Sequence, residues 1–345
     1  MQFAARASGK HHAGKVRRVY LRFLTSRVLP LLSRLRFFGG IFPEPLLHSA
    51  QKILTHEEAN DFISSRIRSG QPSMIGRFGF SELRAVLEFE LLDSWKGRRK
   101  FLWRVVLLRS TKWSPSRFDF LANLSGFFPT RDKSAVRKFS ESMRESAKFL
   151  DLLGSWLPGE NLISEIPVEV AVTSLGSLSP FGAKTPWTWS LRGKRVLLVH
   201  PFAESIRNQY EKRQLLFPDP EFLPEFDLRV IQAPQTLNDG ENLASLGFED
   251  WFVALEEMMS QIEAETFDVA IIGAGAYGFP LASFVKSSGS VAIHFGGAAQ
   301  LLFGIWGNRW NDREEMLRLR NSHWVRPLSS ETPELAPQVE GAAYW

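Results

Sequence analysis

Short, fully apolar runs alternate along this chain with longer segments in which apolar residues recur every three or four positions. The first pattern is typical of buried strands and the second of amphipathic helices. In the second half we predict strands at 196–200, 228–232, 269–272 and 291–295, and helices at 203–216, 249–264 and 280–289. Strands that alternate with helices in this way favour a mostly parallel sheet covered by helices.

The pattern in the first half is more helical. We predict helices at 55–70, 81–93 and 135–154, a short strand and turn at 73–79, and a long loop at 174–193. The helix at 55–70 begins with a capping box and the helix at 135–154 is expected to end at Gly154, since glycine often terminates helices.

Three parts of the chain differ in composition. Pro43 and Pro45 separate a basic N-terminal arm, residues 1–45, from the body. We interpret 46–190 as a mostly helical first part of the main domain, and 191–345 as a Rossmann-like part with a C-terminal tail. The predicted fold class is therefore α/β, with a Rossmann-like, mostly parallel sheet flanked by helices and preceded by an amphipathic helical arm.

The arm is both basic and apolar. Residues 1–43 hold nine Lys and Arg and no acid, so the net charge of +5 conceals a mildly acidic body. Apolar residues recur at helical spacing across 15–38, but charges interrupt them before the ~20 apolar residues that a bilayer span needs. This pattern predicts a helix that binds an anionic membrane surface. A helix packed on the protein's own body is the alternative, and nucleic-acid binding is not expected.

The chain has no cysteine, which excludes disulfides, zinc–thiolate sites and cysteine nucleophiles. Together with the absence of a secretory signal pattern, this favours a cytoplasmic protein. The basic arm would then hold it peripherally on the inner face of the cytoplasmic membrane.

A glycine-rich turn follows the predicted strand at 269–272. Residues 273–278 fit the pattern G-x-G-x-x-G between a strand and a helix, which places a diphosphate on a helix N-terminus. The candidate binding residues in this turn are Gly273, Gly275, Tyr277 and Gly278. The tyrosine ring would either stack on a base or sugar, or cover the core.

The turn lacks the acid that a dinucleotide site requires. Such a site carries Asp or Glu about 20 residues past the first glycine to hold the ribose hydroxyls. Here Ile293 and His294 stand at that position, and no acid occurs between Asp268 and Asp312. The sequence therefore predicts a phosphate-binding turn that does not serve NAD.

Other candidate residues stand at the ends of neighbouring strands, where open parallel sheets bind ligands. Arg77 is expected to bind a phosphate or a carboxylate, and a pair with Glu82 is the alternative. Glu82 is a candidate base and metal ligand. His200 follows the strand at 196–200, where it is a candidate catalytic residue or a structural histidine.

Two further groups complete the candidate site. His294, Gly296 and Gly297 follow the last strand and are expected to line the sugar or acceptor side. Arg207 and Tyr210 lie on the helix after His200 and, with Arg213, would form a cationic, hydrogen-bonding cluster beside the glycine turn. A solvated helix face is the alternative for this cluster.

Three blocks of the chain resemble bacterial GT-D-type glycosyltransferases, the fold group found among proteins of polysaccharide-synthesis loci. The blocks read IGRFGFSEL at 75–83, VLLVHPFAESIRNQYEKR at 196–213, and DVAIIGAGAYGFPLA with AIHFGGAAQLLFGIWGNRW at 268–310. The tail at 321–345 is also similar to the C-terminus of that group. The resemblance covers roughly residues 50–345 and excludes the basic arm.

The resemblance implies a nucleotide-sugar donor, a divalent metal such as Mn²⁺ or Mg²⁺, and transfer of a sugar to a carbohydrate or lipid-linked acceptor in surface polysaccharide synthesis. In the better-known branch the first motif reads Arg-Phe-Gly-Asp-Gly-Glu. Here Arg77, Phe78, Gly79 and Glu82 match, but Phe80 replaces the Asp and Ser81 the second Gly. A phenyl ring cannot ligate a metal.

This replacement leaves alternatives for both metal and activity. Either Glu82 works with another carboxylate, such as Glu204 or Asp312, or the chain works without the metal. Two other functions remain open at this point: a dinucleotide-dependent oxidoreductase or epimerase, and a scaffold that binds a nucleotide sugar without catalysis.

Overall fold

The computed structural model describes residues 53–93, 114–157, 159–237, 247–334, 336–339 and 341–345. The chain divides into two compact units, and the larger comprises Pro45–Phe89 and Ser114–Trp345. The smaller unit lies almost entirely outside the described residues. The predicted arm at 1–45, with its candidate membrane helix at 15–38, lies outside them as well.

A single parallel sheet organises the larger unit. Its strands are β1 (Ile53–Leu54), β2 (Ser73–Gly76), β3 (Leu150–Ser155), β4 (Ala171–Ser174), β5 (Arg195–His200), β6 (Asp227–Gln232), β7 (Val269–Ile272) and β8 (Val291–His294). In the described part of the chain these strands form one eight-stranded sheet in the order β1-β4-β3-β2-β8-β7-β5-β6. Each neighbouring pair is parallel, which confirms the predicted α/β class.

The helices are α1 (His56–Ser69), α2 (Phe80–Asp93), α3 (Asp119–Ser125), α4 (Lys133–Ala147), α5 (Ala203–Tyr210), α6 (Trp251–Glu263), α7 (Gly278–Ser287) and α8 (Glu314–Leu319). α1 begins with the predicted capping box between Thr55 and Glu58 and ends at Gly70 in the left-handed conformation. No helix in the ranges that the structure describes is long and apolar enough to cross a membrane.

The interior of the sheet is apolar on both faces. All residues of β2, β7 and β8 are buried. Ile271 and Ile293 belong to a core that α1, α5 and the tryptophans Trp187 and Trp306 complete. Helices α4 and α6 pack against α7, where Phe127, Phe139 and Trp251 form an aromatic cluster with ring centroids 4.5–5.5 Å apart.

Two helix boundaries differ from the prediction. The helix expected at 135–154 ends at Ala147, and Leu150–Ser155 is instead a strand between β2 and β4. Five of its six residues, all apolar or small, are buried in the sheet, a pattern that a short apolar run shares with a buried helix. The helix expected at 203–216 stops at Tyr210, where a 3₁₀ turn follows.

The strand order creates a crevice at one place in the sheet. From β5 the chain crosses to β6 on one side, and from β6 it returns to β7 on the other side of β5. Ligands in open α/β sheets bind outside the carboxyl ends of the strands at such a reversal. The strands β2, β8, β7 and β5 are successive neighbours and all run parallel, so their carboxyl ends form one continuous edge. From β2 the chain continues to β3, on the side away from β8.

Candidate functional site

Four predicted residues meet at this carboxyl edge. A Cβ atom added to Gly273 would lie 2.7 Å from Cδ2 of His200 and 2.7 Å from the carbonyl oxygen of Gly296. The Arg77 guanidinium packs directly on Gly296. The ends of β5, β7, β8 and β2 are therefore in contact through these side chains and glycines.

The glycines of the edge make room for the protein's own side chains. A Cβ atom on Gly278 would lie 2.5 Å from Nε2 of His294, and one on Gly297 would collide with the Tyr344 ring. Of the three glycines in the predicted cradle, Gly273 and Gly278 are buried and Gly275 is exposed, with a φ of +52°. In this conformation the rings of His200 and His294 therefore cover the two buried glycines of the cradle, and the Tyr344 ring covers Gly297.

Arg77 places a positive charge at this edge, and no carboxylate of the described residues pairs with it. Its side chain is partly buried, and Nη1 donates a 3.4 Å hydrogen bond to the carbonyl oxygen of Phe78. The alternative pair with Glu82 is not formed, and no ion pair to Arg77 occurs among the described residues. A guanidinium with uncommitted donors can bind two phosphate oxygens at once.

Glu82 lies near the start of α2, which follows Arg77 in the chain. The side chain is buried, its Oε2 accepts a 2.8 Å hydrogen bond from the Ser81 hydroxyl, and the carboxylate packs against Gly79. Within the described ranges no group of three or more His, Asp or Glu side chains could hold a metal ion, so neither Glu204 nor Asp312 completes such a group with Glu82. The described residues therefore do not supply a set of three protein ligands for a metal ion.

His200 is a buried, neutral imidazole. Its Nδ1 accepts a 3.0 Å hydrogen bond from the backbone N–H of Phe202, which places the ring proton on Nε2. Burial lowers the pKa of His200 to about 3. The ring therefore stays uncharged at neutral pH and fixes the turn between β5 and α5.

His294 is buried against the backbone of Arg77. Only 3% of the residue is exposed, and within the described structure neither ring nitrogen makes a hydrogen bond of good geometry, although the Arg77 backbone lies close enough to act as a weak partner. Burial and, secondarily, the positive charge of Arg77 lower the pKa of His294 well below its ordinary value. A neutral ring next to Arg77 adds no competing charge to the cationic edge.

Tyr277 does not face a ligand. Its ring stacks on Trp251 with centroids 5.0 Å apart, and its hydroxyl lies 2.8 Å from the Thr236 hydroxyl. The side chain is buried in the core, so the expectation that Tyr277 stacks on a base or sugar is wrong in this conformation. The alternative, that its ring covers the core, is what the structure has.

Arg207 and Tyr210 do not lie beside the glycine turn. The Tyr210 hydroxyl donates to the Phe226 carbonyl at 2.8 Å, immediately before β6 begins, and so lies at the amino end of the sheet. Arg207 Nη2 donates to the carbonyl oxygen of Val230 in the middle of β6, at 2.8 Å. The Arg213 guanidinium lies over the Tyr210 ring, 5.3 Å from its centroid. The predicted position of this cluster beside the glycine turn is wrong, because α5 runs away from the carboxyl edge and carries Arg207 and Tyr210 with it.

No pattern in the sequence indicates the role of Glu331. Its buried carboxylate accepts hydrogen bonds from the backbone N–H groups of Glu204, at 2.8 Å, and Ser205, at 3.2 Å, and from the Ser205 hydroxyl. These groups begin α5, so the C-terminal segment closes a helix N-terminus that faces the crevice. Trp345 donates from its indole to the Glu331 carbonyl at 3.0 Å and anchors this segment.

Glu160 is a second buried acid that the sequence pattern did not single out. It lies just beyond the carboxyl end of β3, where the Ser155 hydroxyl and the backbone N–H groups of Trp156 and Leu157 donate to it. Burial raises the pKa of Glu160 to about 7. The carboxyl therefore titrates near neutral pH.

The chain matches no protein-family model, and searches of curated proteins and of solved structures also found no match.

Proposed function

We propose that this protein is a glycosyltransferase that uses a nucleoside diphosphate sugar as donor. The observation that carries the proposal is Arg77, a partly buried guanidinium without a carboxylate partner among the described residues. It lies at the carboxyl edge of a parallel sheet, where such folds bind ligands. The donor class comes from the resemblance of the blocks around Arg77, His200 and the glycine turn to GT-D-type enzymes.

In the proposed reaction, a hydroxyl oxygen of a carbohydrate or lipid-linked acceptor attacks the anomeric carbon of the donor sugar. The bond from that carbon to the diphosphate breaks, and the nucleoside diphosphate leaves with the electron pair. Arg77 neutralises the charge that develops on the leaving group. Glu82 takes the hydroxyl proton if it acts as the base.

The other role for Glu82 is as a ligand to a divalent cation. Mg²⁺ commonly binds one or two protein carboxylates together with substrate phosphates, so a cation that arrives with the donor needs no protein-only cage. Glu82 is the carboxylate that the matching motif offers for that purpose. The two roles differ in one measurable respect, because only the second makes activity depend on added Mn²⁺ or Mg²⁺.

The test is a panel of nucleotide sugars, with and without Mn²⁺, scored for release of nucleoside diphosphate and for sugar transfer. We expect Arg77→Ala to weaken donor binding at least tenfold and Arg77→Lys to weaken it less, because lysine keeps the charge but loses the bidentate geometry. Arg318→Ala is the matched control, since Arg318 is exposed on α8. Full donor affinity in Arg77→Ala, or no turnover and no thermal shift with any donor, would overturn the proposal.

A second candidate is a protein that binds a nucleotide sugar without transferring it. Phe80, which stands where the resembling enzymes carry the metal-binding Asp, is 50% exposed at the start of α2 and supplies no acid. Tight donor binding without turnover would favour this function. Ile293 and His294, which occupy the position of a ribose-binding acid, are buried in β8 and argue against a dinucleotide enzyme.

A further inference from the structure

A cavity of about 390 Å³ opens at the carboxyl end of β6, one strand beyond the crevice between β5 and β7. One wall is the segment that follows β6 and the other is the C-terminal segment around Glu331. Its lining includes Gln232, Pro234, Gln235, Ser330, Thr332 and Pro333. Its volume falls at the lower end of the range for small-molecule sites, roughly 300–1,000 Å³.

The lining of this cavity is neutral and able to form hydrogen bonds. Among the described lining residues the polar side chains are two amides and two hydroxyls, and none of these residues is charged. The prolines Pro234 and Pro333 add apolar surface. A phosphate would find no cation among these residues, whereas a heterocyclic base and a ribose carry both the flat apolar faces and the donors and acceptors that such a lining can match.

The wall formed by the C-terminal segment is held in place. Glu331 lies between two lining residues, Ser330 and Thr332, and its carboxylate is fixed at the start of α5. The Gln235 amide donates to the Glu331 carbonyl at 2.6 Å and so ties the two walls together. The Oε1 atom of Gln235 is buried without a hydrogen-bond partner in the described structure. The two cavity walls are therefore joined before any ligand binds.

The cavity and Arg77 lie at opposite ends of the candidate edge. Between them run β6, β5, β7, β8 and β2 as successive neighbours. Four strand spacings of about 4.8 Å separate the outermost pair by about 19 Å, and the Arg77 side chain shortens this by reaching over Gly296. A single phosphate cannot bridge this distance, but an extended molecule with a base, a ribose and a diphosphate can reach toward both ends.

We propose that the cavity beside β6 is the nucleoside subsite, which binds the base and ribose of the donor whose diphosphate lies toward Arg77. This inference rests on the proposed function. It assigns base recognition to the amides and hydroxyls of the two walls, and in particular to the exposed side chains of Gln232 and Ser330.

The test uses isothermal titration calorimetry on the full chain with uridine, cytidine, adenosine and guanosine 5′-diphosphates, the four nucleosides, and inorganic pyrophosphate. Ser330→Trp and Gln232→Trp fill the cavity from exposed positions, and Ser260→Trp on an exposed position of α6 is the control. We expect both cavity variants to bind the preferred nucleoside and its diphosphate at least tenfold more weakly. Their affinity for pyrophosphate should equal that of the unmodified chain and of Ser260→Trp.

Arg77→Ala should behave in the opposite way, with weaker pyrophosphate binding and unchanged nucleoside binding. Nucleoside affinity that is unchanged in both cavity variants would overturn the subsite, even if donor turnover upholds the proposed function. Conversely, nucleoside binding that both tryptophans abolish, without turnover of any donor, would uphold the subsite and overturn the transferase. Equal thermal unfolding of the variants and the unmodified chain confirms that a loss of binding is local.

Discussion

The Glu331 carboxylate accepts hydrogen bonds from both the backbone N–H and the hydroxyl of Ser205, 126 residues earlier in the chain. A helix N-terminus carries a partial positive charge, and many α/β proteins use it to bind a phosphate. Here an internal carboxylate occupies that position on α5. A diphosphate at this edge must therefore find its counter-charge elsewhere, and among the described residues Arg77 is placed to supply it.

Glu331→Ala should lower the free energy of unfolding by about 2–4 kcal/mol, because it removes a buried charged acceptor and leaves the start of α5 without its cap. Glu331→Gln keeps one acceptor oxygen and should cost less. Urea unfolding at pH 7 measures both variants. Glu334→Gln, at an exposed position of the same segment, is the control and should change stability little. An equal loss in Glu334→Gln and Glu331→Gln would contradict the capping role.

Gly278→Ala should destabilise the fold by about 1–3 kcal/mol, because a buried overlap forces neighbouring groups to move. The added Cβ would lie 2.5 Å from Nε2 of the buried His294 ring. Gly176→Ala is the control, since the nearest atom to its Cβ would be 3.9 Å away. Thermal unfolding of the two variants measures the difference. Equal midpoints for Gly278→Ala and Gly176→Ala would show that the His294 ring moves aside without destabilising the fold.

Glu160 should make the protein less stable as the pH rises. The folded pKa is about 7 against an ordinary value of 4.5. Between these values the folded carboxyl keeps a proton that the unfolded chain has released, so the free energy of unfolding falls as pH rises through this window. The loss is on the order of 3 kcal/mol between pH 4.5 and pH 8.

Glu160→Gln removes this titration and should flatten that part of the pH profile. The measurement is urea unfolding of the two proteins at pH 5 and pH 8. The difference in stability between the variant and the unmodified chain should move in favour of the variant at the higher pH. Parallel profiles would contradict the buried, titrating carboxyl.

His200 should have the opposite effect at acid pH. Its folded pKa is about 3 against an ordinary value of 6.5. As the pH falls from 6.5, His200 binds a proton in the unfolded chain but stays neutral in the folded protein. The free energy of unfolding therefore falls by about 3 kcal/mol by pH 4. His200→Asn leaves an acceptor for the Phe202 N–H and cannot titrate. Urea unfolding at pH 6.5 and pH 4 should show a smaller acid loss in this variant, and an equal loss would refute the assignment.

The sequence predicted the elements whose pattern is decided locally. The strands β2, β5, β6, β7 and β8 and the start of α1 follow from apolar runs, glycines and a capping box that lie within a few residues of one another. It missed β3, because Leu150–Ser155 continues the apolar spacing of α4, and only pairing with β2 and β4 makes it a strand.

The part of the candidate site that lies at strand ends could also be predicted from local patterns, whereas the part that depends on distant contacts could not. Arg77, His200, Gly273 and Gly296 follow strand ends, and parallel strands bring those ends to one edge. The predicted position of Tyr210 beside the glycine turn was wrong, because the residues of α5 do not determine the direction in which the helix leaves the edge. The contact of Glu331 with Ser205 depends on where the C-terminal segment returns, which no local pattern determines.

Arg207 lies against β6, an edge strand of the sheet. An edge strand with free carbonyl and N–H groups is a template on which a second chain can add, and natural sheets obstruct such edges with charged side chains or very short strands. β6 is one rim, and the exposed Arg207 holds its Val230 carbonyl; β1, at the other rim, is only two residues long. Both rims are therefore poor seeds for intermolecular strand addition, which protects a sheet whose inner strands are among the most apolar segments of the chain.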